Sequence, residues 1–221
     1  MIKGAIFDMD GTLADTIRHW TKLVPNYLRL QGHEHVDSDY RDVILSKTMV
    51  ESASFIKERF QLPLSVAQIC HDWRQMAARM YTHEAPLKAG TTHFIEKLHA
   101  HNIPMVLVTN NDCQLANALL ERTGIRRYFA DLYCGYNLQL SKEEPTIFEM
   151  GRERLGTPAE NTWVFEDSLG PIKTAKNANY PIAAIIDPFH SEEENNAIRA
   201  IADVHFKDYS HAMPWLDTLL A

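Results

Sequence analysis

The sequence predicts an α/β fold in which a Rossmann-like parallel sheet core carries an inserted α-helical cap. Two features of the residue pattern indicate this fold. Short apolar runs of strand length alternate with helix-like segments along most of the chain, which is the order found in parallel, doubly wound sheets. One long stretch near the N-terminal end contains helix-like segments alone, which indicates an insertion into that alternating pattern.

The predicted strands are apolar runs that end in polar or charged residues. They lack a regular polar alternation, so we expect strands that are buried on both faces of the sheet. The runs cover residues 2–7, 103–108, 132–134, 163–165 and 182–186.

Helix-like segments lie between the later strands. In the first of them, Phe94, Ile95 and Leu98 fall on one face because they are spaced by three and four positions. Gly124 and Gly156 follow two of the segments, and glycine is typical of the residue that ends a helix. The segments cover residues 91–100, 112–123, 146–155 and 167–179.

Residues 15–87 interrupt the alternation. Three segments, 16–30, 40–60 and 65–81, have helical patterning, and no strand-like run lies between them. We therefore predict that residues 1–14 and 88–221 form the core and that residues 15–87 form a helical cap.

The composition excludes some classes of partner. The chain has 221 residues, with 22 Lys or Arg against 29 Asp or Glu and a formal net charge of −7. A nucleic-acid-binding protein needs a basic surface, so we expect no nucleic acid as a partner. No stretch approaches the roughly 20 apolar residues of a membrane span, and no signal-peptide pattern is visible. We expect no membrane association and a cytoplasmic location.

The cysteine pattern predicts neither a zinc site nor a disulfide framework. Cys70, Cys113 and Cys134 are odd in number and widely spaced, and no C-x-x-C pair occurs. We expect three reduced thiols.

Two aspartates end the first predicted strand. Asp8 and Asp10 lie two positions apart, so their side chains would project to the same side if the extended backbone continued. Paired carboxylates repel each other unless a cation lies between them, and hard carboxylate oxygens suit Mg²⁺. In open α/β sheets the ligand site lies at the carboxyl ends of the strands. Gly11 follows, and its backbone can approach a phosphate closely.

Residues 8–16 resemble the first motif of the haloacid dehalogenase-like hydrolase superfamily. Three further segments resemble the remaining motifs of that family in the same order. Thr109 ends an apolar strand, Lys142 precedes a proline and an aromatic residue, and an acidic pair, Glu166 and Asp167, follows another strand. One departure is visible: the third motif often reads Gly-Lys-Pro, whereas Lys142 is followed here by Glu143.

The resemblance implies a role for each matched residue. Asp8 resembles the nucleophile, and Asp10 resembles the general acid and base. The implied Mg²⁺ ligands are Asp8, the backbone carbonyl of Asp10, Asp167 and Glu166, the last either binding directly or accepting from metal-bound water. The implied phosphate-binding residues are Gly11, Thr109, Asn110 and Lys142.

These roles predict Mg²⁺-dependent hydrolysis of a small phosphorylated metabolite through an aspartyl-phosphate. Two alternatives stay open: a sugar-phosphate mutase similar to β-phosphoglucomutase, and a protein that binds a phosphorylated ligand without catalysis. Asp10 disfavours phosphonate cleavage and dehalogenation, since neither chemistry uses that second aspartate. Within the predicted cap, Arg18, His19 and Lys47 are candidate substrate contacts. The sequence does not indicate the oligomeric state.

Overall fold

The computed structural model describes residues 1–34 and 49–221, and it divides the chain into two compact units. The larger unit contains Met1–Ile17 and Ala85–Ala221, and the smaller unit is Arg18–Glu84. The smaller unit thus interrupts the larger one shortly after the first strand. That the smaller unit acts as a cap over the active site stays a prediction.

The described residues of the larger unit form a six-stranded, wholly parallel sheet in the order β3-β2-β1-β4-β5-β6. This confirms the predicted Rossmann-like core. The strands are β1 (Gly4–Phe7), β2 (Met105–Thr109), β3 (Phe129–Cys134), β4 (Thr162–Glu166), β5 (Ile182–Ile185) and β6 (Val204–Phe206). The sequence did not predict β6, because this edge strand has only three residues and none of them is fully buried.

The described α-helices are numbered in chain order through both units. They are α1 (Ile17–Leu30), α2 (Met49–Arg59), α3 (Val66–Arg79), α4 (Thr91–Ala100), α5 (Cys113–Arg122), α6 (Gly135–Leu138), α7 (Thr146–Leu155), α8 (Leu169–Asn177), α9 (Glu192–Ile201) and α10 (Tyr209–Leu220). Side-chain caps start several of them, since an oxygen of Asp112, Ser191 or Asp208 accepts a backbone N–H two or three residues later. Gly156 ends α7 in the left-handed conformation, as predicted.

The sheet is buried on both faces, which fixes the positions of its strand ends. On one face the rings of Phe7 and Phe165 stack with centroids 4.3 Å apart, and Tyr209 packs against Phe94 beside them. On the other face Ile6 joins an aliphatic cluster that includes Val106, Val108, Ile147, Val164 and Ile172. Strand β1 therefore lies at the centre of the core, and its carboxyl end cannot move independently of its neighbours.

The smaller unit is a helical assembly built around aromatic contacts. Helix α1 buries Leu23, Val24, Tyr27 and Leu28. The rings of Tyr27 and Trp73 meet edge to face at 6.0 Å. The indole N–H of Trp20 donates to the hydroxyl of Tyr81 at 3.0 Å. Among the described residues of both units, no helix has the length and apolar character that crossing a bilayer requires.

The cysteine prediction was wrong for two of the three residues. Cys113 and Cys134 form a disulfide, whereas Cys70 is a free, buried thiol as expected. Cys134 ends β3 beside Thr109 of β2, and Cys113 begins α5 only four residues after Thr109. The parallel pairing of β2 and β3 therefore brings together two cysteines that are 21 positions apart. That proximity is a property of the topology, and their spacing matches no sequence motif.

Candidate active site

The candidate site lies at the carboxyl ends of β1, β2 and β4, which are neighbours in the sheet. Asp8 directly follows β1, and its backbone N–H donates to the carbonyl of Phe165 at 3.0 Å. Thr109 ends β2, while Glu166 ends β4 and Asp167 follows it. Three motifs that are more than 50 residues apart in sequence therefore meet at one edge, as expected for an open parallel sheet.

Lys142 connects two of these carboxylates. Its ammonium group donates to Asp8 Oδ1 at 2.6 Å and to Glu166 Oε2 at 2.7 Å, and the side chain is only 5% exposed. The backbone N–H of Lys142 donates to Asn110 Oδ1 at 3.0 Å. Asn110 thus joins the loop that carries the lysine to the end of β2. The lysine is fixed at both its backbone and its charged end.

Glu143, which departs from the family pattern, is exposed, and its carboxylate lies against Gly170 in the first turn of α8. A side chain at position 170 would collide with that carboxylate. A negative group beside a helix N-terminus is favourable. Glu143 therefore interacts favourably with the N-terminus of α8, next to Lys142 in the sequence.

Asp8, Glu166 and Asp167 form a group of buried carboxylates that could hold a metal ion. Each offers one oxygen, and the three oxygens lie within 4.8 Å of one another. All three residues are at most 4% exposed. Buried hard oxygen donors at this separation suit Mg²⁺, whose remaining positions water and a substrate phosphate can fill. The residues present therefore fit the ion that the sequence implied.

The charges of this group are unbalanced. Burial and the neighbouring Glu166 carboxylate raise the pKa of Asp8 to about 7, although Lys142 acts in the opposite direction. Burial also raises the pKa of Glu166 and of Asp167. For Lys142, burial favours the neutral form, but the charges of Asp8 and Glu166 outweigh it and raise the pKa. One lysine, with His190 beside Asp167, thus faces three carboxylates, and the negative charge that is still in excess favours a cation.

Asp167 is held through both of its carboxylate oxygens. The hydroxyl of Thr12 donates to Oδ1 at 3.0 Å, and His190 Nε2 lies 2.9 Å from Oδ2. Gly11, with φ +84°, passes so close that a Cβ there would collide with the Asp167 carboxylate. This contact explains the glycine at position 11. Its predicted contact with phosphate stays a prediction.

Asp10 lies beside the carboxylate group but is oriented by a different partner. Strand β1 ends at Phe7, and the chain then turns, with the N–H of Ala14 donating to the carbonyl of Met9 at 2.9 Å. Asp10 Oδ2 accepts from the amide of Asn111 at 2.9 Å. Among the described residues, the carboxylate group that could hold a metal does not include the Asp10 side chain. Metal binding by its backbone carbonyl stays a prediction.

The end of β2 supplies the remaining polar groups. Thr109 is buried, and its hydroxyl accepts from the backbone N–H of Asn111 at 3.2 Å. Asn110 is exposed, and its side-chain oxygen is already bonded to Lys142. The structure thus brings both residues to the same edge as Asp8. Their contacts with phosphate remain predictions.

Sequence reasoning did not assign roles to Thr12, Asn111 and His190, which the structure places on the site carboxylates. Thr12 and Asn111 lie within the first and second motif segments, which is the sequence signal that marks them. His190 lies in the loop after β5, 23 residues beyond Asp167, and no pattern marks it. Burial alone would lower the pKa of His190, but the hydrogen bond to Asp167 raises it overall.

Two of the three predicted substrate contacts lie outside the unit that holds this site. Arg18 and His19 belong to the first turn of α1, in the smaller unit. Lys47 lies outside the described residues. All three therefore stay predictions.

Known proteins resemble this chain along most of its length. The model of the haloacid dehalogenase-like hydrolase family matches residues 2–179. A phosphoglycolate phosphatase from Photobacterium profundum is 26% identical in an alignment of 196 residues that covers 83% of this chain and 83% of the relative. A phosphorylated carbohydrates phosphatase from Thermotoga maritima is 24% identical over 197 residues, covering 89% of this chain and 90% of the relative.

The fold recurs in solved structures. A crystal structure from Thermotoga maritima, provisionally assigned as a β-phosphoglucomutase, superposes with a TM-score of 0.84 over 98% of this chain and 99% of its own, at 21% identity. That likeness concerns the fold. The family match over residues 2–179 covers more than half of the chain and shows its membership: the chain belongs to the haloacid dehalogenase-like hydrolase family.

Proposed function

We propose that this hydrolase is a Mg²⁺-dependent phosphatase that cleaves a small phosphate monoester through an aspartyl-phosphate on Asp8. The observation that carries the proposal is the buried group of Asp8, Glu166 and Asp167 with Lys142 bonded to two of its members. A surplus of buried negative charge costs free energy. A bound cation together with Lys142 would offset this surplus charge and leave a site for a phosphoryl group.

Asp8 is positioned to act as the nucleophile. Lys142 fixes its carboxylate through Oδ1 at 2.6 Å. A carboxylate oxygen of Asp8 attacks phosphorus, and the bond from phosphorus to the ester oxygen breaks as the new bond forms. Lys142 also offsets the negative charge that the nucleophile and the phosphoryl group bring together.

Asp10 completes the reaction as an acid and then as a base. It protonates the departing ester oxygen, and it later takes a proton from the water that attacks the aspartyl-phosphate. That second step releases inorganic phosphate and restores the Asp8 carboxylate. The 2.9 Å hydrogen bond from Asn111 to Asp10 Oδ2 holds this carboxylate in one orientation.

Asp8, Glu166 and Asp167 are the residues that would hold Mg²⁺. When bound, the ion supplies positive charge that stabilises the phosphoryl group during transfer. Thr109, Asn110 and Gly11 are the proposed phosphate contacts, because they share the sheet edge with Asp8.

The substrate that we propose is a small phosphorylated metabolite. The relatives described above are named for phosphoglycolate and for phosphorylated carbohydrates, and both are small anionic esters. The net charge of −7 argues against nucleic acid as substrate. The smaller unit, residues 18–84, is the candidate for the predicted cap, with Arg18, His19 and Lys47 as candidate selectivity residues. A metabolic substrate of this kind favours a cytoplasmic location.

The decisive experiment is phosphate release from a panel of phosphate monoesters, with Mg²⁺ and with a chelator. We expect metal-dependent release by the wild type and a loss of at least about a thousandfold in Asp8→Asn. The matched control is Asp217→Asn, the same change at a carboxylate in α10 that is 55% exposed, which should leave the rate unchanged. Release by Asp8→Asn at the wild-type rate would contradict the assignment. A rearranged sugar phosphate in place of free phosphate would identify a mutase.

A further inference from the structure

The loop between β5 and α9 delivers one side chain to the candidate site. His190 lies in this loop, and its side chain is only 14% exposed. Its Nε2 lies 2.9 Å from Oδ2 of the wholly buried Asp167. Because this carboxylate is a proposed metal ligand, any group that orients it acts on the metal site.

The Asp167 carboxylate is clamped from two sides. Thr12 donates to one oxygen and His190 to the other, at 3.0 and 2.9 Å. A carboxylate held through both oxygens cannot rotate freely, so its lone pairs keep a fixed direction. Each oxygen has a further acceptor site, so the clamp is compatible with simultaneous coordination of a cation.

The loop that carries His190 is itself anchored. Asp187 is wholly buried, and its carboxylate accepts from Lys88 Nζ at 2.7 Å and from the backbone N–H of Phe189 at 2.9 Å. The amide of Asn195 donates to the Asp187 carbonyl at 3.0 Å.

The anchor continues to the first motif. The backbone N–H of Lys88 donates to the carbonyl of Leu13 at 2.9 Å, and Leu13 directly follows Thr12. Both donors to Asp167 therefore belong to one connected structure, whose links are the Leu13–Lys88 hydrogen bond and the Lys88–Asp187 ion pair. The position of His190 is built into the fold.

We propose that His190 is a positioning residue, which orients Asp167 so that the carboxylate group binds a divalent cation tightly. This inference rests on the proposed function, because it concerns the same metal site. Outer hydrogen-bond partners of metal ligands commonly change metal affinity by about 10- to 100-fold. His190 holds the ligand and does not contact the reacting atoms.

The test is calorimetric titration of the metal-free protein with Mg²⁺, without substrate. We expect His190→Ala to raise the Mg²⁺ Kd by about 10- to 100-fold. His190→Gln keeps an N–H donor at nearly the same reach and should stay close to the wild type. His190→Asn is shorter and should behave like His190→Ala. The glutamine and asparagine pair carries the test by itself if the alanine variant does not fold.

The matched control is His211→Ala. His211 also bonds an aspartate, Asp208, at 2.7 Å, but the His211 side chain is 62% exposed and its aspartate partner is the N-cap of α10. Its removal should leave the Mg²⁺ Kd unchanged. A merely structural role for His190 would lower the melting temperature in chelator without changing the Kd.

The possible results separate the two proposals. If the wild type binds Mg²⁺ and every His190 variant binds it equally well, the positioning role is wrong and the proposed function stands. If the wild type itself does not bind Mg²⁺, both proposals fall. A weakened Kd in His190→Ala and His190→Asn, with recovery in His190→Gln, supports the positioning role.

Discussion

Two lysine side chains of the larger unit are almost completely buried, and their surroundings differ in charge. Lys88 is 8% exposed and faces one buried carboxylate, Asp187, at 2.7 Å. Lys142 is 5% exposed and faces Asp8 and Glu166 at 2.6 and 2.7 Å, with Asp167 completing the group. The first pair is electrically balanced, whereas the second arrangement keeps surplus negative charge.

The difference indicates which buried charges serve structure and which serve chemistry. A balanced pair satisfies both partners and ties two loops together. Three buried carboxylates around one lysine and His190 repel one another, and this repulsion costs free energy that a balanced pair does not incur. The arrangement is explained if a cation and a phosphoryl group complete it. Surplus charge, more than burial, distinguishes the candidate site.

The largest expected effect comes from removing each lysine in turn and measuring activity. Lys142→Met should lower kcat by about a thousandfold, because Asp8 loses the cation that orients it and offsets its charge. Lys88→Met should lower kcat at most about tenfold, since it acts only through the loop of His190. The measurement is Mg²⁺-saturated phosphate release well below the melting temperature. Equal losses in the two variants would contradict the comparison.

The next effect concerns stability at the balanced pair. Lys88→Met leaves Asp187 buried without its cation and should lower the free energy of unfolding by about 3–5 kcal/mol. Lys88→Met combined with Asp187→Leu removes both charges and should recover much of that loss. Urea unfolding measures both changes. A double variant as unstable as the single one would show that the pair is not the source of the stability.

The Cys113–Cys134 disulfide is a covalent link at the same sheet edge, and its contribution to stability can be compared with that of the buried ion pairs. It closes a segment of 21 positions between Cys113 and Cys134, so Cys113→Ser should lower the free energy of unfolding by about 3 kcal/mol. The Mg²⁺ Kd should not change, because neither cysteine belongs to the group of carboxylates that could hold the metal. Reduction of the wild type should reproduce the loss, and reduction of Cys113→Ser should have no further effect.

The smallest expected effect is a gain in stability when one negative charge is removed from the group of Asp8, Glu166 and Asp167. The pKa of Asp8 is raised from 3.8 to about 7 in the folded, metal-free protein. Between these values the folded state keeps a proton that the unfolded chain has released, so stability falls as the pH rises and levels off above pH 7. Asp8→Asn should therefore raise the melting temperature in chelator at pH 8 by a few degrees, on the order of 1 kcal/mol.

The same variant should show little gain near pH 3, which lies below both pKa values, because Asp8 is then protonated in the folded state and largely so in the unfolded one. Asp187→Asn provides the opposite case, because it weakens a balanced pair and should lower the melting temperature at pH 8. Thermal melts of the three proteins in chelator across this pH range check the comparison. A destabilised Asp8→Asn at pH 8 would show that the carboxylate group carries no surplus repulsion.

Much of the core was predictable because its signals are local. The apolar runs of β1, β2, β4 and β5 and the polar residues that follow them are continuous in sequence. The rule that parallel strands present their carboxyl ends at one edge then brings Asp8, Thr109 and Glu166 together. Strand β6 is too short and too exposed to give such a signal.

The features that the sequence did not predict depend on contacts between segments that are distant along the chain. The Cys113–Cys134 pair follows from the register of β2 and β3, and His190 reaches Asp167 only because the β5 loop is tied to Lys88. The expectation for Asp10 assumed that β1 stays extended, whereas the strand ends at Phe7 and the chain turns. Tertiary pairing and local turn geometry decided these positions, and neither is encoded in spacing alone.

The central claim is that Asp8 carries the phosphoryl group during turnover, and locating that group tests it most directly. The wild type would be quenched in acid while it turns over its best ester with Mg²⁺, then digested for peptide mass spectrometry. We expect a hydroxylamine-sensitive phosphoryl group on Asp8 and none in Asp8→Asn treated in parallel. A phosphoryl group on another residue, or equal labelling of Asp8→Asn, would contradict it.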